Sequence, residues 1–226
     1  EEELRKLSLS YKVVGNVRFY DRKEIKDILA YLNYLINPED TVSFERILNV
    51  PKRGIGESTL QKLRDYANKN EISLSKSIEN LDEINNLSDR VKKQINNFKE
   101  IINDLKSFAL QGPSETISKT LELTGYKDEL VKEGTLDSQM RLENLDELLT
   151  SAFEFENLYE EDIEDPFTVL RDYLESIALF TDSDDVDKED RILLMTLHNA
   201  KGLEFPVVFM TGMEENIFPS QRSETD

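Results

Sequence analysis

The chain has 226 residues, 38% of them hydrophobic, which is enough for one ordinary core or one and a half small domains. It has no cysteine, which excludes disulfides and thiolate zinc sites and points to a reducing, cytoplasmic setting. No apolar run approaches the roughly 18 residues of a membrane span, and Glu1 to Glu3 make the start acidic where a signal peptide would be basic. The formal net charge of −19 argues against a polyanionic partner only until its distribution is read. Residues 143–190 hold 2 basic and 18 acidic side chains, whereas residues 1–80 hold 14 basic and 13 acidic ones. A nucleic acid can therefore approach the first third and the last segment, while 143–190 faces away from it or faces a partner.

Tyr11-Lys-Val-Val-Gly15 is a short β-branched run ended by glycine, and a helical pattern of Ile25, Ile28, Leu29, Leu32 and Leu35 begins at Asp21. Asn37-Pro-Glu-Asp40 breaks it, and Val42 to Asn49 predicts a short helix that stops before Pro51. After Gly54-Ile-Gly56, Ser58 is the expected N-cap of a helix running through Leu60, Leu63 and Tyr66. Leu74 to Leu110 predicts one short and one long amphipathic helix, closed by Gly112-Pro113. Further helices are expected over 116–123, 126–131, 139–155 and 166–179, with acidic loops at 156–165 and 182–190. The period then changes: Ile192 to Met195 and Val207 to Met210 are nearly continuous apolar runs of the kind buried strands make, with a helix-like turn at Lys201-Gly202 between them.

Two ends that look like pieces of an α/β sheet enclose an all-helical middle. The expected fold is mainly α: a helical domain over 38–189 inserted into an incomplete sheet domain made by 1–37 and 190–226, with a few parallel strands at the two ends.

Two segments carry chemistry. Ile47-Leu-Asn-Val-Pro-Lys-Arg-Gly-Ile-Gly-Glu-Ser-Thr-Leu60 resembles a helix-hairpin-helix DNA-binding motif. Its glycines let the backbone pass close to a phosphate, the following helix offers free N–H groups, and Lys52 and Arg53 add positive charge. An ordinary tight turn between helices is the alternative. Such a motif holds duplex backbone without reading sequence. In Thr196-Leu-His-Asn-Ala-Lys-Gly-Leu-Glu-Phe205, at a strand end entering a helical turn, Thr196, His198 and Lys201 offer donors suited to phosphate. Glu204 offers an acceptor suited to a ribose hydroxyl. His198 is the only histidine, and a lone histidine is more often a structural hydrogen-bonder than a catalyst.

That ten-residue string, followed by Pro206-Val-Val-Phe209 and by Gly212 to Pro219, resembles motif V of superfamily 1A helicases of the PcrA/UvrD/Rep group, nearest its PcrA branch. Residues 16–37, the Arg53-Gly-Ile-Gly56 string and Arg141-Leu-Glu-Asn-Leu-Asp-Glu147 resemble the same family in the same order. The resemblance implies that 38–189 is domain 2B and that the flanks belong to a RecA-like domain 2A. It implies duplex contacts from Lys52, Arg53, Gly54, Ile55, Gly56 and Thr59, and single-strand contacts from Thr196, His198 and Lys201. Gly202 and Glu204 would meet the nucleotide. Arg18 and Glu24 also fall in matching text, with a structural or a functional role. The parent would be an ATP- and Mg2+-dependent 3′-to-5′ helicase acting in DNA repair or replication.

The sequence contains no Gly-x-x-x-x-Gly-Lys-[Ser/Thr] phosphate loop, no counterpart of the family's Asp-Glu metal pair and no arginine-bearing motif VI. With its opening inside a helix-like run, it reads as a piece of a longer enzyme and by itself an inactive one. The competing expectation is a protein-interaction or autoinhibitory module whose acidic face, within 143–190, meets a basic partner. An independent nuclease or hydrolase has little support, because the carboxylates lie in charge runs with no spacing that pairs two around a metal or a scissile bond.

Overall fold

A computed structural model describes Leu4, Leu7, Leu9 and residues 11–14, 18–159, 167–183 and 192–214. Two compact units are present: Val17–Asp187, and the two ends Glu1–Asn16 with Lys188–Asp226. The chain is mainly helical.

The larger unit is built on α1 (Lys23–Ile36), which a single 3-10 turn over Phe19–Asp21 precedes. Only Lys23, Lys26 and Asn33 of α1 are exposed. A helix buried around nearly its whole circumference belongs inside a bundle, and α2 (Thr41–Leu48) packs directly on it. Asp40 starts α2 by accepting from the amides of Val42 and Ser43. Next come α3 (Glu57–Asn70), the one-turn α4 (Leu74–Ser77) and α5 (Asp89–Ala109). In α5, Ile95, Phe98, Ile102, Leu105 and Ala109 are buried at alternating spacings of three and four, the stripe that faces a helical neighbour. The bundle closes with α6 (Pro113–Leu123), α7 (Tyr126–Glu133), α8 (Leu136–Leu158) and α9 (Thr168–Ser183). A reciprocal capping box between Thr135 and Ser138 starts α8.

This packing differs from the sequence expectation in one respect. The expected boundary after residue 37 would leave α1 with the sheet-like flank, yet α1 is the centre of the helical unit, which begins at Val17. Periodicity identifies a buried face but not the partner that buries it.

Buried polar groups tie distant helices to α1. The Asp27 carboxylate, 2% exposed, accepts from Arg46 Nε of α2 at 2.9 Å, from Lys23 Nζ at 2.8 Å and from the Tyr126 hydroxyl of α7 at 2.8 Å. Burial, followed by the Asp27 charge, raises the Tyr126 hydroxyl above its ordinary range, so it stays a donor at neutral pH. Glu24, also buried, accepts from Asn144 Nδ2 of α8 at 2.6 Å, and Asn144 Oδ1 accepts from Arg22. The matching text at 16–37 and at 141–147 is thus joined physically, and Glu24 has a structural role. At the start of α6, Glu156 of α8 accepts from both the amide and the hydroxyl of Ser114, at 2.7 and 2.5 Å, replacing the side-chain cap that Gly112 lacks. Glu156→Ala is expected to lower stability by about 1 kcal/mol, the usual value of a cap. Thermal unfolding should show this as a midpoint lowered by about 2–4 °C.

In the smaller unit β1 (Tyr11–Val14) and β2 (Ile192–Met195) pair in parallel, with Tyr11 opposite Ile192 and Val14 opposite Met195. Parallel neighbours need a long connection, and here the entire helical unit lies between them in sequence. One helical turn, α10 (Leu197–Ala200), follows β2. The strand expected at 207–210 is absent: Val207, Val208, Phe209 and Met210 are 70%, 63%, 88% and 51% exposed. An apolar run becomes a strand only where neighbours satisfy its backbone and cover its side chains, and the described residues provide neither.

Candidate nucleic-acid interface

The hairpin between α2 and α3 has an inside and an outside. α2 ends at Leu48, before Pro51, whose bond to Val50 is cis. Inside, Asn49 Oδ1 accepts from the amides of Arg53 at 2.9 Å and Ile55 at 3.1 Å, folding the loop around one side chain. Arg53 also turns inward. Its Nη1 donates to the carbonyls of Ile47 and Val50, both at 2.9 Å, with those of Leu48 and Pro51 at 3.3 and 3.4 Å. Its Nη2 donates to the Tyr31 hydroxyl at 2.6 Å, and the guanidinium lies 5.3 Å from the Phe98 ring centre. Tyr31, fully buried in α1, donates in turn to the Val50 carbonyl. Burial pushes its hydroxyl up to about 12 against the lowering effect of Arg53, so the donor is retained throughout the neutral range.

Outside are Lys52, Gly54 and Gly56, all exposed. Gly54 has φ +76°, in the left-handed region that favours glycine. Gly56 has φ −88° and is the N-cap of α3 without a capping side chain. The amides of Gly56, Glu57 and Ser58 have no protein partner among the described residues, as is usual at an uncapped helix start. Ser58 is thus inside the helix and not its cap; the expected cap position has moved to Gly56 because the helix begins earlier, at Glu57. The one acidic side chain at this helix start, Glu57, is paired with Arg64 at 2.8 Å. Arg64 also holds Glu45, and these two carboxylates raise its guanidinium above the ordinary range.

Three of the six expected duplex-contact residues therefore face solvent. Ile55 and Thr59 are 3% and 7% exposed, because Thr59 begins the buried Thr59-Leu63-Ala67 stripe of α3 and Ile55 enters the core. Their side chains face the protein, and so does the Arg53 guanidinium. Asn49, Tyr31 and Phe98 carry the loop without having been assigned a role from sequence. Asn49 left a local signal, an Asx residue at a helix end. Tyr31 and Phe98 left none, since they reach Arg53 from other helices.

The second segment lies in the smaller unit. Thr196 caps α10, its Oγ1 accepting from the Asn199 amide at 3.3 Å and its carbonyl from the Ala200 amide at 3.0 Å. The turn closes through Gly202 at φ +84°. Thr196, Lys201, Gly202 and Glu204 are all exposed on this short stretch, while the side chain of His198 lies outside the described residues. No group of three His, Cys, Asp or Glu residues able to hold a metal occurs among the described residues. The acidic stretches 160–166 and 184–191 and residues 215–219 also lie outside them. No described helix is long and apolar enough to cross a membrane.

Comparison with known proteins places these two segments in context. The whole chain, residues 1–226, matches the family described as UvrD-like helicase C-terminal domain. It is 42% identical over 224 residues to the ATP-dependent DNA helicase PcrA of Staphylococcus aureus, covering 99% of this chain and 30% of that protein. It is likewise 42% identical over 231 residues to the ATP-dependent DNA helicase PcrA of Bacillus subtilis, again 99% of this chain and 30% of the relative. The chain thus spans less than a third of the length of these relatives.

Proposed function

The chain belongs to the UvrD-like helicase C-terminal domain family, and we propose that it serves a PcrA-type, ATP-dependent 3′-to-5′ DNA helicase by holding duplex DNA through the α2–α3 hairpin. In this reading residues 38–189 form the duplex-binding 2B region together with α1, and the paired strands belong to a RecA-like domain 2A. The observation that carries the reading is the outer face of the hairpin. Two exposed glycines and three amides without a partner among the described residues, at the start of a 14-residue helix, stand beside Lys52, and the Glu57 carboxylate there is paired with Arg64. A helix start with unpartnered N–H groups attracts an anion through both hydrogen bonding and the aligned peptide dipoles. Backbone groups cannot read bases from there, so binding would be independent of sequence.

The exposed turn after β2 would contribute to the motor's central site. Thr196, His198 and Lys201 are assigned to the single strand, and Gly202 and Glu204 to the sugar side of ATP. ATP with Mg2+ is the cofactor proposed for the parent helicase. The chemistry it supplies is phosphoryl transfer, for which this sequence has no phosphate-binding loop, so hydrolysis is not expected of this chain alone.

Fluorescence anisotropy of the chain with labelled duplexes of unrelated sequence tests the hairpin. Affinities in the range of about 10⁻⁴–10⁻⁶ M near physiological salt are expected, equal between sequences and rising steeply as salt falls. Absence of binding at low salt would rule the hairpin out as a duplex contact.

A further inference from the structure

We infer that Arg53 is a positioning residue, an internal latch that keeps the hairpin in its phosphate-accepting shape, while its neighbour Lys52 supplies the charge that meets the DNA. The inference rests on the duplex-binding reading above and deepens it.

In sequence Lys52 and Arg53 are equivalent cations beside Gly54. The geometry separates them. Lys52 is exposed, whereas Arg53 directs Nη1 at four carbonyls, of Ile47, Leu48, Val50 and Pro51, and Nη2 at the buried Tyr31 hydroxyl. The Ile47 carbonyl also accepts from the Val50 amide at 3.1 Å and the Val50 carbonyl from the Tyr31 hydroxyl, yet all four converge on one guanidinium nitrogen, where their dipoles would repel one another without a cation between them. The guanidinium nitrogens meet them while its central carbon lies over the Phe98 ring, 5.3 Å from the ring centre. A planar fork can do both at once, and an ammonium on a flexible stem cannot.

The latch also determines what the outside presents. Across a trans peptide the carbonyl and the following N–H point in opposite directions. Drawing the Pro51 carbonyl inward therefore aims the Lys52 amide outward. The Asn49 carboxamide, which holds the Arg53 and Ile55 amides, completes the inside of the same loop. Replacing Arg53 should release these carbonyls to water, and the loop would lose the arrangement in which its free amides meet a phosphate.

Duplex anisotropy across a salt series separates a latch from a contact. Each cation that neutralises a phosphate contributes about 0.9 to the slope of log affinity against log salt. Lys52→Gln is expected to weaken binding and flatten the slope by about one. Arg53→Gln and Arg53→Lys are both expected to lose about tenfold with the slope unchanged, because lysine keeps the charge but not the fork. Tyr31→Phe, fully buried and beyond the reach of DNA, should lose several-fold, again without a change of slope. Wild-type binding by Arg53→Lys, or a slope flattened by Arg53→Gln, would make Arg53 a phosphate contact and overturn the inference. If the Arg53 variants do not fold, Tyr31→Phe decides, and unaltered affinity there overturns it. Hydrogen exchange on the free chain gives a reading independent of DNA: the Arg53 and Ile55 amides should exchange faster in Arg53→Lys. Unchanged exchange removes the latch whether or not the duplex binds. Faster exchange in a chain that binds no duplex would keep the latch and discard the hairpin's DNA role.

Discussion

Gly56→Val should reduce duplex affinity at least about tenfold while lowering the unfolding midpoint by only about 2–4 °C. The two glycines of the hairpin are required for different reasons, and this substitution isolates one of them. Gly56 has φ −88° and ψ 176°, extended backbone that a β-branched residue adopts freely, and a Cβ built there meets nothing within 4 Å. Neither strain nor a clash therefore requires glycine at 56, and the stability cost is that of valine at an N-cap, about 1 kcal/mol. What a valine changes is the outer face, where its methyl groups would stand between a phosphate and the free amides of Gly56, Glu57 and Ser58. Losing one hydrogen bond to a charged group costs about 1.5–3 kcal/mol, and about 1.4 kcal/mol is already tenfold in affinity. Gly54→Val should differ. At φ +76° a β-branched residue is strained by about 1–3 kcal/mol although its Cβ also has open space, so stability and binding should fall together. Paired anisotropy and thermal unfolding on both variants check this. Unaltered binding by Gly56→Val would show that no phosphate approaches α3 at its start.

Asp27→Ala is expected to lower the unfolding free energy of the helical unit by about 2–4 kcal/mol. Removing one partner of a buried ion pair typically costs about 3–5 kcal/mol because the other charge is left uncompensated. Here Arg46 is 34% exposed and Lys23 62% exposed, so both can recover hydration, which places the expected loss below that range. The Tyr126 hydroxyl cannot do so as easily: it is buried and would lose its acceptor. The carboxylate links α1 to α2 on one side and to α7 on the other, so its loss loosens the platform on which the hairpin stands. Urea unfolding followed by circular dichroism gives the value. Arg46→Ala alone should cost less, since Lys23 and Tyr126 continue to satisfy Asp27. An Asp27→Ala midpoint equal to that of the parent would show that the three contacts add nothing over hydration.

The helices were legible because their signals are local. The three-and-four spacing of α5, the Asn37-Pro-Glu-Asp40 break before α2 and the Gly112-Pro113 break after α5 each act within a few residues, and each break falls between two helices. β1 and β2 were legible for the same reason, as short apolar runs bounded by glycine or polar residues. The run at 207–210 had the same appearance and forms no strand. A strand's stability resides in its neighbours, and apolar composition alone cannot provide them.

The chain's family membership, its helical content and the location of the hairpin at Gly54-Ile-Gly56 were determined by the sequence itself, since motif strings and periodicity are properties of consecutive residues. The tertiary structure alone decided that α1 is the centre of the bundle. It alone separated Lys52, facing solvent, from Arg53, facing Tyr31 and Phe98 across 22 and 45 residues of chain. A side chain's direction depends on which distant groups can satisfy its charge and its hydrogen bonds, and those groups come together only when the chain folds.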